Sequence, residues 1–238
     1  MNPLFSFLGN MIKAIIFDID NTLVDFVRLK RMAVESAILG MIEAGFHVDK
    51  DRSIEHIMSI YEEEGWEDQL VFNKFIENKL GYLNYKFLAA GILGYRKARE
   101  SALSPYPFVT STLIKILKKG IKLAIVSDAP SREAWLRLVQ INLHNLFDVV
   151  VTFNDTNERK PSAKPFSLAL KQLNIKASET IMVGDWPERD IVGARKVGMK
   201  TVYAKYGDVN KTNNSGADHD INSFDELLEV IDLENKNA

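Results

Sequence analysis

Asp18 and Asp20 stand two residues apart, behind the apolar run Ala14, Ile15, Ile16, Phe17. That run is β-branched and aromatic enough to predict a strand buried on both faces, and a strand period of two sends both carboxylates to one side. Asn21 and Thr22 follow with turn chemistry. Two acids at the mouth of a buried strand repel each other unless a cation or a shared proton offsets the charge. Acids in that position also do no more than form a turn or cap the next helix, so the pair alone leaves both readings open.

Further polar groups recur behind later apolar runs. Ser127 and Asp128 follow the run at 121–126, Lys160 lies in the loop beyond a strand predicted at 149–153, and Asp185 and Asp190 follow the run at 180–183. Helical periodicity separates these runs, at 113–117, 135–139, 166–173 and 191–197. One more strand is predicted at 201–204, a short one near Ile221, and a last helix over 224–231. Alternating strands and helices predict an α/β fold with a parallel sheet covered on both faces. Such sheets bind ligands where loops converge at the carboxyl ends of their strands. The recurrence of polar groups at those ends favours a chemical role for the first acid pair.

Residues 28–104 interrupt the alternation, because no strand signal occurs there. One helix is predicted over 27–44 through Val34, Ile38, Met41 and Ile42. A second carries Ile54, Ile57, Met58 and Tyr61, capped by Asp51 or Ser53 and stopped at Gly65. A third covers 70–80, and a fourth carries Phe87, Leu88, Ile92 and Tyr95. Pro105 and Pro107 then break the helical pattern. The division that follows is an N-terminal extension at 1–10, a core made of 11–27 and 105–238, and a helical insertion at 28–104.

Four gathered carboxylates suit a hard divalent cation with oxygen ligands, and magnesium is the natural choice. Were a phosphoryl dianion to enter, Asp18 could attack it only if that cation and the Lys160 ammonium offset the repulsion. Asp18 would form an aspartyl phosphate, and Asp20, its pKa raised by neighbouring acids, would give a proton to the leaving oxygen and later take one from water. Ser127 could offer its hydroxyl and nearby backbone N–H groups to phosphate oxygens.

Composition narrows the partners. The 238 residues are 46% hydrophobic, enough for a large core, and a net charge of -2 gives no global attraction to nucleic acid or acidic membranes. Zero cysteines exclude disulfides and thiolate sites and fit a cytoplasmic protein. His47, His56, His144 and His219 lack metal-ligand spacing. Neither nucleic acid nor a membrane is an expected partner, and oligomeric state is left open.

Together these residues resemble a known family. FDIDNT with Asp18 and Asp20, Ser127 in IVSD, Lys160 in KPSAKPF, and Asp185 and Asp190 in GDWPERD resemble the four ordered motifs of the haloacid dehalogenase-like hydrolase superfamily. The resemblance runs from about Met11 to the C-terminus and implies a Rossmann-like, doubly wound core. The insertion resembles the helical C1 cap of the phosphoglycolate phosphatase-like branch. Implied is a magnesium-dependent phosphatase, a phosphoric monoester hydrolase acting on a small phosphorylated metabolite. Asp18, Asp20 and Lys160 would be catalytic. Asp18, Asp20, Asp185 and Asp190 would hold metal, and Ser127, Asp128, Lys160 and Asn21 would bind phosphate.

Two departures stand out. The third motif holds two lysines, of which Lys160 fits through its Lys-Pro and the Phe166 six residues on, with Lys164 as the fallback. Asp128 occupies the place of a more usual asparagine, which makes the pocket less welcoming to anions. Asp20 argues against a dehalogenase. A phosphomutase shares the aspartyl phosphate, whereas a phosphonatase would need a cap amine, and Lys30, Lys74, Lys79, Lys86 and Lys97 are each expected on wet helix faces. A catalytically weak phosphate-binding or regulatory protein is the non-enzymatic alternative. Phe26, Arg28, Tyr106 and Trp186 lie near motifs or cap hinges and could touch the leaving group, though packing or surface roles suit them as well.

Overall fold

The computed structural model describes residues 11–238, so the expected extension at 1–10 lies outside the described residues. The chain divides into two compact units. One runs to Asp25 and resumes over Ser104–Ala238, and the other is Phe26–Leu103.

The second unit is four helices, α1 (Phe26–Glu43), α2 (Lys50–Glu64), α3 (Val71–Leu80) and α4 (Tyr85–Ala102). Their apolar stripes meet in one cluster that includes Val34, Ile38, Met41, Ile57, Phe75 and Ile76. Each such large side chain, fully buried, contributes roughly 1.5–3 kcal/mol. Helices α1 and α4 approach so closely that a Cβ on Gly94 would lie 2.3 Å from the Ser36 carbonyl oxygen. The cap of α2 differs from expectation. Asp49 accepts the Arg52 N–H at 2.8 Å, so the helix begins with Lys50, Asp51 sits in its first turn, and Ser53 is buried inside it.

The first unit is built on six strands, β1 (Ala14–Phe17), β2 (Lys122–Val126), β3 (Val149–Val151), β4 (Thr180–Gly184), β5 (Lys200–Ala204) and β6 (His219–Ile221). All pairs are parallel, in the order β3-β2-β1-β4-β5-β6. The chain winds outward from β1 to β3 and then crosses back to β4, so the order reverses between β1 and β4, where open sheets of this kind bind ligands. Phe17 is aligned with Ile125 of β2 and Val183 of β4, which brings the ends of the three central strands level.

The remaining helices are α5 (Val109–Lys118), α6 (Ser131–Gln140), α7 (Phe153–Thr156), α8 (Ala163–Leu173), α9 (Val192–Lys196) and α10 (Leu227–Lys236). Ile16 packs in a cluster with Phe166 and Leu173 of α8. Phe17, next along β1, stacks on Phe224 at 5.7 Å between ring centroids. With both faces covered, all of β1 is buried.

Several boundaries differ from the sequence expectation, as at the last helix, which runs over Leu227–Lys236, and two of the differences have a visible cause. β3 ends at Val151 rather than at 153, because the Asp155 carboxylate accepts both the Thr152 N–H and its hydroxyl at 2.7 Å and turns the chain into α7. The helix predicted from 191 is preceded by a wide π-type turn, Pro187–Ile191.

Candidate active site

Asp18, Ser127 and Asp185 directly follow the central strands β1, β2 and β4, whereas Lys160 stands between α7 and α8 and Asp190 in the π-type turn. The Asp18 N–H donates to the Val183 carbonyl at 3.0 Å, which carries the β1–β4 ladder one residue past the strand and fixes where its carboxylate starts. The chain then coils tightly. Leu23 and Val24 N–H both donate to the Ile19 carbonyl, at 2.9 and 3.2 Å, while Asn21 sits at φ 56, a left-handed conformation that asparagine tolerates. Asn21 closes this turn through its N–H to the Val24 carbonyl at 2.7 Å.

Lys160 is the hub. Its ammonium lies 2.5 Å from Asp18 Oδ1 and 2.6 Å from Asp190 Oδ1. Asp190 is aimed by the π-type turn, since its Oδ2 accepts the Trp186 N–H at 3.0 Å. Gly184 makes room for it, because a Cβ there would lie 2.3 Å from the Asp190 carboxyl carbon. Asp185 accepts the Thr22 hydroxyl at 3.1 Å.

Asp18, Asp185 and Asp190 can each place one oxygen within 4.8 Å of the others, and all three are buried. The pKa of Asp18 is raised to about 7, chiefly by burial, with the Lys160 charge opposing the rise and Asp190 and Asp20 adding to it. Burial also holds Asp185 well above the ordinary carboxylate range, followed by repulsion from Asp18 and Asp190. Burial opposes the charge on Lys160, yet Asp18, Asp190 and Asp128 outweigh it and raise its pKa. Three buried carboxylates against one ammonium leave the pocket short of positive charge. A hard divalent cation with oxygen ligands fits that deficit and that donor set.

Of the four acids expected around the metal, Asp18, Asp185 and Asp190 group together. The Asp20 carboxylate is absent from this group and lies 2.8 Å from the Arg137 Nε instead. Its neighbour is therefore a guanidinium, where only other acids were anticipated. Asp128 accepts the Lys160 N–H on its Oδ1 at 2.8 Å and has its Oδ2 3.4 Å from Arg189, so it ties the third motif to the end of β2. Ser127 is buried, with its Oγ accepting the Ala129 N–H at 3.2 Å while the hydroxyl proton can still be donated.

The fallback Lys164 is placed elsewhere, on the Thr156 carbonyl at 2.7 Å and near Glu158. Lys79, Lys86 and Lys97 are exposed and Lys74 is half-buried, but Lys30 is buried, against expectation. Phe26 is buried and packs edge-on to Trp66 in the helical unit, Arg28 is exposed, Tyr106 packs edge-on to Tyr206, and Trp186 is covered by the Arg189 guanidinium. No histidine belongs to a metal-like group among the described residues. Sequence reasoning missed Arg137, and it read Thr22 only as a turn residue. The signal for Arg137 was present, since Ala134, Arg137, Leu138 and Ile141 recur at helical spacing on one face.

A family model described as haloacid dehalogenase-like hydrolase matches residues 15–204. The chain belongs to this family. The helical unit, inserted between the first and second motifs, gives it the C1-cap type of arrangement. Among relatives, the glyceraldehyde 3-phosphate phosphatase of Methanocaldococcus jannaschii is 32% identical over 93% of this chain and 97% of that protein. The enzyme of the same name from Pyrococcus furiosus is 34% identical over 94% of this chain and 95% of that one. A solved structure, a HAD phosphatase from Thermococcus onnurineus, superposes with a TM-score of 0.67 at 28% identity, covering 92% of this chain and 98% of that one. This haloacid dehalogenase-like chain is thus an enzyme of the phosphatase class, and the non-enzymatic alternative gives way. Among the described residues no helix is long and apolar enough to cross a membrane.

Proposed function

We propose that the chain hydrolyses the phosphomonoester of a small sugar, with Asp18 as nucleophile, Asp20 as proton carrier and Mg2+ held by Asp18, Asp185 and Asp190. The observation that carries this reading is the Lys160 ammonium shared between Asp18 and Asp190 inside a pocket with too little positive charge. The bound ion would supply the missing charge and draw electron density from a phosphoryl oxygen. Lys160 keeps the Asp18 carboxylate oriented as it bonds to phosphorus and the ester oxygen departs. Asp20 gives that oxygen its proton, then accepts one from the water that cleaves the aspartyl phosphate and restores Asp18. Ser127 donates its hydroxyl to a phosphate oxygen.

Sugar phosphates are the proposed class because the relatives above act on glyceraldehyde 3-phosphate, and similarity to them extends over nearly the whole chain. The helical unit would serve as a cap that excludes bulk water around so small a substrate. Phosphate release from a panel of phosphorylated trioses, larger sugars, glycerol, glycolate and nucleotides tests the reading. Glyceraldehyde 3-phosphate or a close analogue should lead the panel, with activity lost in EDTA, restored by Mg2+ and abolished in Asp18→Asn. Turnover that survives Asp18→Asn would exclude the aspartyl phosphate.

A further inference from the structure

Helix α6 buries two charged side chains, Glu133 and Arg137, beside the apolar Ala134 and Leu138, while Trp135, Leu136 and Val139 are 41%, 47% and 51% exposed. Charges turned inward while larger apolar side chains face water work against burial energy, and such local conflicts mark sites kept for function. What the buried face delivers is Arg137, with its Nε 2.8 Å from Asp20 Oδ1 and its side chain only 8% exposed.

The helix is well anchored for this task. Ser131, its first residue, donates its N–H to Asn154 Oδ1 at 2.8 Å and shares a hydroxyl contact with Thr152 at 2.7 Å, which ties α6 to the end of β3. Ala134 and Leu138, on either side of Arg137 along the buried face, are fully buried. Asp20 itself stands on the tight coil after β1, with 26% of its side chain exposed. A carboxylate so placed has several staggered rotamers open to it, and a planar guanidinium approaching from a fixed helix selects among them.

We infer that Arg137 is a positioning residue, which holds the Asp20 carboxylate in the rotamer that meets the leaving-group oxygen. The inference rests on Asp20 being the proton carrier proposed above. Protonation matters only where the departing oxygen is a poor leaving group. An alkoxide needs the proton as the P–O bond breaks, whereas dinitrophenolate departs without one. kcat/KM reports steps up to the first irreversible one, here transfer of the phosphoryl group to Asp18, and so isolates Asp20 as acid from Asp20 as base in the later hydrolysis.

The experiment compares wild type, Arg137→Met, Arg137→Lys and Asp20→Asn on two substrates, the alkyl phosphate turned over fastest in the panel and 2,4-dinitrophenyl phosphate. Arg137→Met should lose about ten- to a hundredfold in kcat/KM on the alkyl phosphate and stay within about threefold on the aryl one. Arg137→Lys should recover part of the loss, and KM for the alkyl phosphate should change far less than kcat. Equal losses on both substrates, or no loss on either, would overturn the inference. If Arg137→Met fails to fold, Arg137→Lys alone decides, by whether its smaller loss is confined to the alkyl phosphate. Asp20→Asn separates the two levels. If it discriminates between the substrates and the Arg137 variants do not, only the positioning role falls. If it does not discriminate, the assignment of Asp20 as acid falls first.

Discussion

The two units each bury one lysine to nearly the same extent, and hold it in opposite ways. Lys160 and Lys30 are 5% and 6% exposed. Lys160 has carboxylate oxygens at 2.5 and 2.6 Å. Lys30 has the Trp66 carbonyl at 2.5 Å and the ring centroids of Tyr61, Tyr95 and Phe26 at 4.2, 5.5 and 5.6 Å. Carbonyl dipoles and ring faces stabilise an ammonium without burying a second ion. The Lys30 ammonium is thus held by a carbonyl and three rings, and its charge acts as a packing element. Around Lys160 the acids outnumber the ammonium, and the imbalance is what a cation and a phosphoryl group could exploit. Burial of a charge does not mark a reactive site, whereas burial of mismatched charges does.

The sharpest break between the two sites comes from removing each ammonium. Lys160→Met leaves Asp18 and Asp190 facing each other, and turnover should fall by about a thousandfold or more, as when a preorganised electrostatic partner is lost. Phosphate release, with the melting curve as a control for folding, measures it. A variant retaining a tenth of wild-type turnover would show that Lys160 is not needed to balance the charge.

The acids around Lys160 should also differ among themselves. Asp185→Asn takes away one of the three grouped carboxylates and should weaken Mg2+ binding by about tenfold to a hundredfold. Asp20→Asn should leave that affinity within about threefold while losing most turnover, because its carboxylate lies on Arg137. Titration calorimetry with Mg2+ reads both. Equal loss of affinity would count Asp20 among the metal ligands alongside Asp185.

Lys30→Met should do the reverse of Lys160→Met. The variant keeps the aliphatic bulk but loses the cation–π contacts and the bond to Trp66, so unfolding free energy should drop by about 1–3 kcal/mol. Turnover of a small aryl phosphate should stay within about threefold, far from the collapse expected at Lys160. Chemical denaturation with unchanged m-value is the measurement. The phosphonatase alternative can be checked at the same site, since on the phosphatase reading borohydride with a phosphono-aldehyde should leave Lys30 unlabelled.

The contrast between these two lysines also marks how far the sequence could be read. Lys160 was legible because Lys-Pro in the third motif follows a strand, and strand ends in such sheets carry ligands. Lys30 was not, because a lysine beside Leu29 and Arg31 has the pattern of a wet helix face, and its partners include the rings of Tyr61 and Tyr95 and the carbonyl of Trp66, which sequence spacing does not bring together. Strand β1 could be read from its apolar run, but the order of its neighbours could not, since crossovers leave no local trace. Asp20 was found, but its guanidinium neighbour was not. Its partner lies far along the chain, on a helix whose inward face had to be seen before a lone arginine meant anything.

A third lysine sets the lower end of this scale. Lys200 on β5 pairs with Glu234 on α10, and His219 of β6 lies 2.6 Å from the same carboxylate, with side chains 32%, 12% and 22% exposed. Burial acts to raise the Glu234 pKa, but the bonds from Lys200 and His219 outweigh it and hold the pKa below its ordinary 4.5. A carboxyl depressed on folding adds stability above its unfolded pKa, and that stability is lost as pH falls through the folded value. Water reaches Lys200, so the contribution at pH 7 should be only about 0.5–1 kcal/mol. Glu234→Gln should therefore melt slightly below wild type at pH 7, with the gap closing as the pH falls below the ordinary 4.5 and through the lower folded value. A gap that persisted undiminished at pH 3 would mean that packing of α10, rather than charge, is what Glu234 supplies, and the ion pair would no longer belong on the same scale as Lys160.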